Sequence, residues 1–220
     1  MSAATRLGGT GRRGTAPLLR RRSVIAGLAA GLALRAVPAS AHGSIGPAKP
    51  PVGVPDIEIV TNDGFRGPLR ERLLGRVTAI QLMFTQCKSI CPIEAATFAR
   101  TQEALAGMSF DGIQLLSLSI DPLTDTPEVL NTWLDGLGAR AGWTAAAPAK
   151  ADLARARAFF DGPSDFGEDH STAMSLFNRA GLLVWRSPEL PAPNEVVRLL
   201  GHFQGERQDV AWMPASTPGR

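Results

Sequence analysis

The sequence predicts a single α/β domain built as a mixed sheet flanked by helices. Two nearly continuous apolar runs, VTAIQLMFT (77–85) and IQLLSLSI (113–120), read as strands buried on both faces. A late segment, AMSLFNRAGLLVWRS (173–187), reads as a hairpin turning at Asn178–Gly181. Helical patterns alternate with the strands over most of the chain, as helices covering the faces of a sheet require. With 220 residues, of which 44% are hydrophobic, the chain is long enough for one such domain with a full core.

Residues 1–41 are set apart from that domain. They carry seven basic residues and no acidic one, then eleven apolar residues from Val24 to Leu34, then Ala39-Ser40-Ala41. Basic, apolar and small residues in that order predict a cleaved export signal ending before His42. RRSVI at Arg21–Ile25 suits the twin-arginine route, which predicts an exported, periplasmic protein. The apolar run is well short of the roughly 20 residues that span a bilayer, and no cysteine near the cleavage point offers a lipid anchor, so no permanent membrane anchor is expected. The full chain has a net charge of +3, from 23 basic and 20 acidic residues. Without the seven basic residues of the signal, 16 remain against 20, a net of −4. The positive balance belongs to the signal, and no nucleic-acid partner is implied.

The remaining elements follow in order. Residues 42–55, rich in Gly and Pro, read as a linker, which starts the domain at 56 and ends it at 203. IEIVT (57–61) is a short strand followed by a turn at Asn62-Asp63-Gly64. After the first buried strand come Cys87 and Cys91, then a helix with Pro92 in its first turn that runs to Leu105 and stops at Gly107. After the second, Thr126 is the N-cap and Pro127 the first residue of a helix closing at Gly136 or Gly138. KADLARARAFF (150–160) and NEVVRLLGHF (194–203) are two further helices, and 204–220 read as a loose tail. A strand leading into a cysteine pair at a helix N-terminus, with a hairpin late in the chain, is the thioredoxin arrangement.

The cysteine pair carries the chemistry. A helix N-terminus offers unpaired N–H groups and partial positive charge, which favour the thiolate, and Lys88 adds a nearby cation. Residues four apart on a helix have Cβ atoms about 5–6 Å apart, whereas a disulfide wants roughly 3.5–4.5 Å. The spacing therefore leans toward an ion between two sulfurs, although a redox pair or a structural disulfide remains open in an oxidising compartment. A third ligand comes from His170, in GEDHSTAM just before the hairpin, which a thioredoxin-like sheet brings beside the cysteine turn. Two thiolates and an imidazole suit Cu(I); structural zinc wants four protein ligands, and only three are found. His42 could chelate copper through its amine and ring, but no second histidine stands near it, so it reads as incidental. Asp121, Asp125 and Thr126 read as braces of the loop after the second strand, and Met83, Met108 and Met174 as core or loop residues. A peroxiredoxin is disfavoured, because its Thr stands three positions before the reactive cysteine, whereas Thr85 stands two before Cys87.

Taken together, FTQCKSICP, LSIDPLTDTPEVL and DHSTAMSLFNRAGLLV resemble the SCO/SenC family of thioredoxin-fold copper proteins, from about Asp56 to Phe203. The resemblance implies copper ligation by Cys87, Cys91 and His170, with Cu(I) foremost and Cu(II) open. It also implies a role in maturing the dinuclear copper centre of a respiratory oxidase, with an oxidase subunit or another copper chaperone as partner. Lys88 stands where family members commonly have Pro, and this chain looks released where many relatives are membrane-held. The chief alternative is a thiol-disulfide oxidoreductase, with Cys87 and Cys91 as its catalytic redox pair. No heptad or coherent apolar patch predicts an oligomer, so a monomer is expected.

Overall fold

The two apolar runs do lie at the centre of a sheet. In a computed structural model of the chain, residues 45–106, 112–161 and 170–205 are described, all within the unit Ser40–Arg220. The expected signal, His42, Gly107, Met108, Asp169 and residues 206–220 lie outside them. Eight strands form one sheet: β1 (Gly46–Gly53), β2 (Glu58–Thr61), β3 (Arg66–Pro68), β4 (Val77–Met83), β5 (Ile113–Ser119), β6 (Trp143–Pro148), β7 (Ala173–Phe177) and β8 (Leu182–Glu189). Their order across the sheet is β1-β8-β7-β4-β5-β6-β2-β3. The centre, β4-β5-β6, is parallel, and β7 and β2 flank it antiparallel.

The helices are α1 (Leu69–Leu73), α2 (Cys91–Leu105), α3 (Pro127–Gly136), α4 (Leu153–Phe160) and α5 (Pro193–Gly205). Side chains alternate across a strand, so β4 sends Val77, Ala79 and Met83 to one face, among residues of α2, α3 and α5. Ile80 and Leu82 go to the other face, among residues of α1 and α4. Burial on both faces is the reason β4 and β5 are apolar throughout. The helix start expected at Thr126 is present: its side chain accepts from the Val129 N–H at 3.4 Å, and Pro127 stands at the first helical position.

The structure departs from the sequence reading at two strands in particular. The segment read as a linker is, over Gly46–Gly53, an edge strand antiparallel to β8. An edge strand pairs on one side only, so it tolerates the prolines at 47, 50 and 51 that would disrupt a central strand. β6, WTAAAP, lies in the sheet interior although three alanines carry no strand signal; Ala145, Ala146 and Ala147 are buried alternately toward the two faces. The sequence reading includes neither the short β3 nor α1, and α5 extends two residues into the expected tail.

Candidate metal centre

Strand β4 delivers the chain to the carboxyl edge of the parallel strands, where open α/β sheets commonly place their sites. The turn that follows is pinned by Asp125. Its buried carboxylate accepts from the Thr85 N–H (3.2 Å), the Thr85 hydroxyl (2.5 Å) and the Ser119 hydroxyl (2.5 Å). The loop carrying Asp125 is closed by its own backbone, Asp125 N–H to the Asp121 carbonyl at 3.0 Å. The bracing role expected of Asp125 is therefore exerted on the strand end that leads to Cys87.

Cys87 and Cys91 are both free thiols, the first half-buried and the second buried. Cys91 opens α2, and its N-cap residue Ile90 supplies no side-chain cap. The Cys91 N–H points instead at the Cys87 sulfur, 3.4 Å away, so a sulfur takes up one of the helix's unpaired donors. Burial opposes the Cys87 thiolate, but hydrogen bonds from the Cys91 thiol, the Ser89 hydroxyl and the backbone N–H groups of Cys91 and Ser89 outweigh it and lower its pKa to about 7. Burial pushes the Cys91 thiol strongly up, and its bond to Cys87 and the charges of Cys87 and Glu94 add to that. The two cysteines are thus shifted in opposite directions from the ordinary thiol value.

His170 is buried, and its Nε2 lies 3.5 Å from the Cys91 sulfur. Its Nδ1 is 3.0 Å from the Ser171 carbonyl, an acceptor only, so Nδ1 carries the proton and donates. That leaves the Nε2 lone pair facing Cys91, the tautomer a metal ligand needs. The following residues are clamped from two sides. Asp161 accepts from the Ser171 N–H at 2.9 Å, and Glu189 accepts from the Ser171 hydroxyl at 2.8 Å and the Thr172 N–H at 2.5 Å. The Phe84 ring meets the imidazole edge-on, 6.2 Å between centroids.

Sequence reasoning missed Glu94. It lies three residues after Cys91, on the same side of α2, and it is buried, with Oε2 3.8 Å from His170 Nε2. Burial, then the charges of Cys87 and Glu189, raise its pKa to about 8. Donor atoms of Cys91, Glu94 and His170 all lie within 4.8 Å of one another, and Cys87 adjoins this group through Cys91. A carboxylate one helical turn from a candidate cysteine was the available signal. Its presence also removes the argument that zinc lacks a fourth protein ligand; donor softness, rather than donor number, must now discriminate between the metals. His202 lies on an exposed part of α5, outside the group. Among the described residues, no helix is long and apolar enough to cross a membrane.

The SCO1/SenC family model matches residues 68–202. No curated protein matches. Among solved structures, a SCO1/SenC family lipoprotein from Bacillus anthracis is 21% identical with a TM-score of 0.59, over 71% of this chain and 98% of that one. Yeast Sco1 with copper bound is 20% identical with a TM-score of 0.59, over 71% of this chain and 95% of that one. BsSco, in which a disulfide switch was identified and which belongs to the Sco family of cytochrome c oxidase assembly proteins, is 19% identical with a TM-score of 0.57, over 69% of this chain and 93% of that one. At these identities the likeness bears on the fold, which is thioredoxin-like in all of them.

Proposed function

Because the chain belongs to the SCO1/SenC family, and a buried cysteine sulfur meets an imidazole nitrogen at the carboxyl edge of its sheet, we propose that it is an exported copper carrier. Cu(I), its cargo, is held by Cys87, Cys91 and His170 and passed to the copper-receiving subunit of a respiratory oxidase or to another copper chaperone. The observation that carries this reading is the 3.5 Å approach of Cys91 Sγ and His170 Nε2, with Nδ1 engaged by a carbonyl. Two soft sulfurs and one imidazole match the preference of Cu(I). Export rests on the basic, apolar and small-residue pattern of residues 1–41.

The chain's own residues do three things for the cargo. Cys87, ionised near neutral pH, is the accessible first donor. Cys91, protonated until metal arrives, gives up its proton on binding, as metal-bound thiols do. His170 is oriented by the Ser171 carbonyl and by the clamp of Asp161 and Glu189 on the residues that follow it.

The pKa split also favours a second reading, thiol-disulfide exchange. In that reaction the Cys87 thiolate attacks a client disulfide, and a client thiolate leaves. Cys91 loses its proton and attacks Cys87, releasing the second client thiolate, so the client gains two electrons and the pair becomes a disulfide. One comparison tests both readings: Cu(I) stoichiometry and affinity of reduced residues 42–220 against His170→Ala, using a competing Cu(I) chelator, beside client-disulfide reduction by the same proteins. About one tightly held Cu(I) per chain that is lost in His170→Ala, with reduction retained, is the result expected of the carrier. Equal copper retention without His170 rejects the three-ligand site and favours the reductase.

A further inference from the structure

We propose that Glu94 is a fourth donor to this site, engaged by copper in its oxidised, Cu(II) form and dispensable for Cu(I). The inference rests on the copper reading above and concerns a residue that reading does not use. Glu94 is 4% exposed, and neither carboxylate oxygen has a hydrogen-bond partner among the described residues. Burying such a group without a partner is costly, and native proteins seldom leave it so. The acids that merely complement a helix N-terminus stand in solvent; Glu94 instead lies inside, within 4.8 Å of the donor atoms of Cys91 and His170. The cavity beside it, lined by Gln81, Thr97, Met174 and Leu190 among others, is about 10 Å³, room for roughly one water molecule.

Donor chemistry assigns the oxidation state. Cu(I) is soft and is satisfied by two sulfurs and an imidazole. Cu(II) favours a four-donor tetragonal set that includes nitrogen and oxygen. A carboxylate added to Cys87, Cys91 and His170 supplies the oxygen and a negative charge to offset the higher charge of the ion. Glu94 on this view sets the balance between the two states of the cargo.

The test uses residues 42–220 as wild type, Glu94→Gln and Glu94→Asp, titrated anaerobically with Cu(I) and with Cu(II) against chelators specific for each, with free thiols counted afterwards. Glu94→Gln removes the anionic donor without opening a cavity. Its Cu(II) affinity is expected to fall at least tenfold while its Cu(I) affinity changes less than twofold. Each tenfold selective loss raises the copper reduction potential by about 59 mV, and the electron paramagnetic resonance of bound Cu(II) should change with it. Glu94→Asp, which keeps a carboxylate, should recover part of the loss. A water-satisfied structural carboxylate would instead leave Cu(II) binding unchanged or weaken both states alike, and either result overturns the inference while leaving the carrier reading intact. Failure of the wild type to bind either ion overturns both.

Discussion

Replacing Asp125 by Ala tests whether the cysteine turn is held from the loop after β5. Three donors converge on this carboxylate, the Thr85 N–H and the hydroxyls of Thr85 and Ser119, and Asp125 is 1% exposed. A hydrogen bond to a charged acceptor contributes about 1.5–3 kcal/mol. The three are not additive, because both hydroxyls can turn to other acceptors whereas the Thr85 N–H cannot. A loss of about 3–4 kcal/mol is expected, among the larger values for single substitutions. Asp125→Asn keeps one acceptor and the shape, and its amide can donate to a rotated hydroxyl, so its loss should be about 1–2 kcal/mol. Urea unfolding of the apo protein measures both, with the midpoint lowered and the slope unchanged; the thermal midpoint of Asp125→Ala should fall by roughly 10 °C. An Asp125→Ala protein within about 0.5 kcal/mol of wild type, on the scale of an ordinary surface change, would refute the bracing argument.

Two further outcomes follow from the titration of the site in the metal-free dithiol. The alkylation rate of Cys87 should rise with pH to half its maximum near pH 7, set by the lowered pKa of about 7; Cys91 should resist alkylation, and Ser89→Ala, which removes one of the bonds favouring the thiolate, should move the Cys87 midpoint upward. Glu94 titrates the other way: its folded pKa of about 8 lies above the ordinary 4.5, so the folded state binds more protons than the unfolded one between those values. Wild-type stability should therefore fall between pH 4.5 and 8, on the order of a few kcal/mol, whereas Glu94→Gln lacks that slope and should be the more stable protein at pH 8. Unfolding midpoints measured across this range decide it, and parallel pH profiles for the two proteins would contradict the burial argument.

What was legible in the sequence was whatever has a local cause. β4 and β5 are apolar because both their faces are covered, and the start of α3 is written in Thr126-Pro127. Two cysteines beside a proline mark the turn before α2. β1 and β6 were not legible because their strand character comes from their neighbours: β1 borrows its pairing from β8, and the alanines of β6 are small where helices press on both faces. Glu94 was hidden for a related reason. In sequence it is an acid in the first turn of a helix, the place where a solvated charge is favourable; its burial comes with tertiary neighbours such as Gln81, Met174 and Leu190, which line a small cavity with it.

The site is asymmetric in a way that suits a carrier better than a permanent metal site. Structural zinc centres are closed on all sides by protein ligands, and ion release from them needs local unfolding. Here the proposed buried ligands, Cys91 and His170, are fixed by α2 and by the clamp on Ser171, whereas Cys87 stands half-exposed on the turn before the helix. On the carrier reading, an incoming ligand from a partner would meet the ion on the Cys87 side, so exchange would begin by replacing that sulfur while Cys91 and His170 keep hold. The same placement makes Cys87 the sulfur open to a client disulfide. The carrier and reductase readings therefore share their exposed atom and differ in the buried ones: the first requires both His170 and Cys91, the second Cys91 alone among the buried groups. A protein that delivers copper should lose delivery with either residue, whereas one that only reduces disulfides should tolerate the loss of His170 and fail without Cys91.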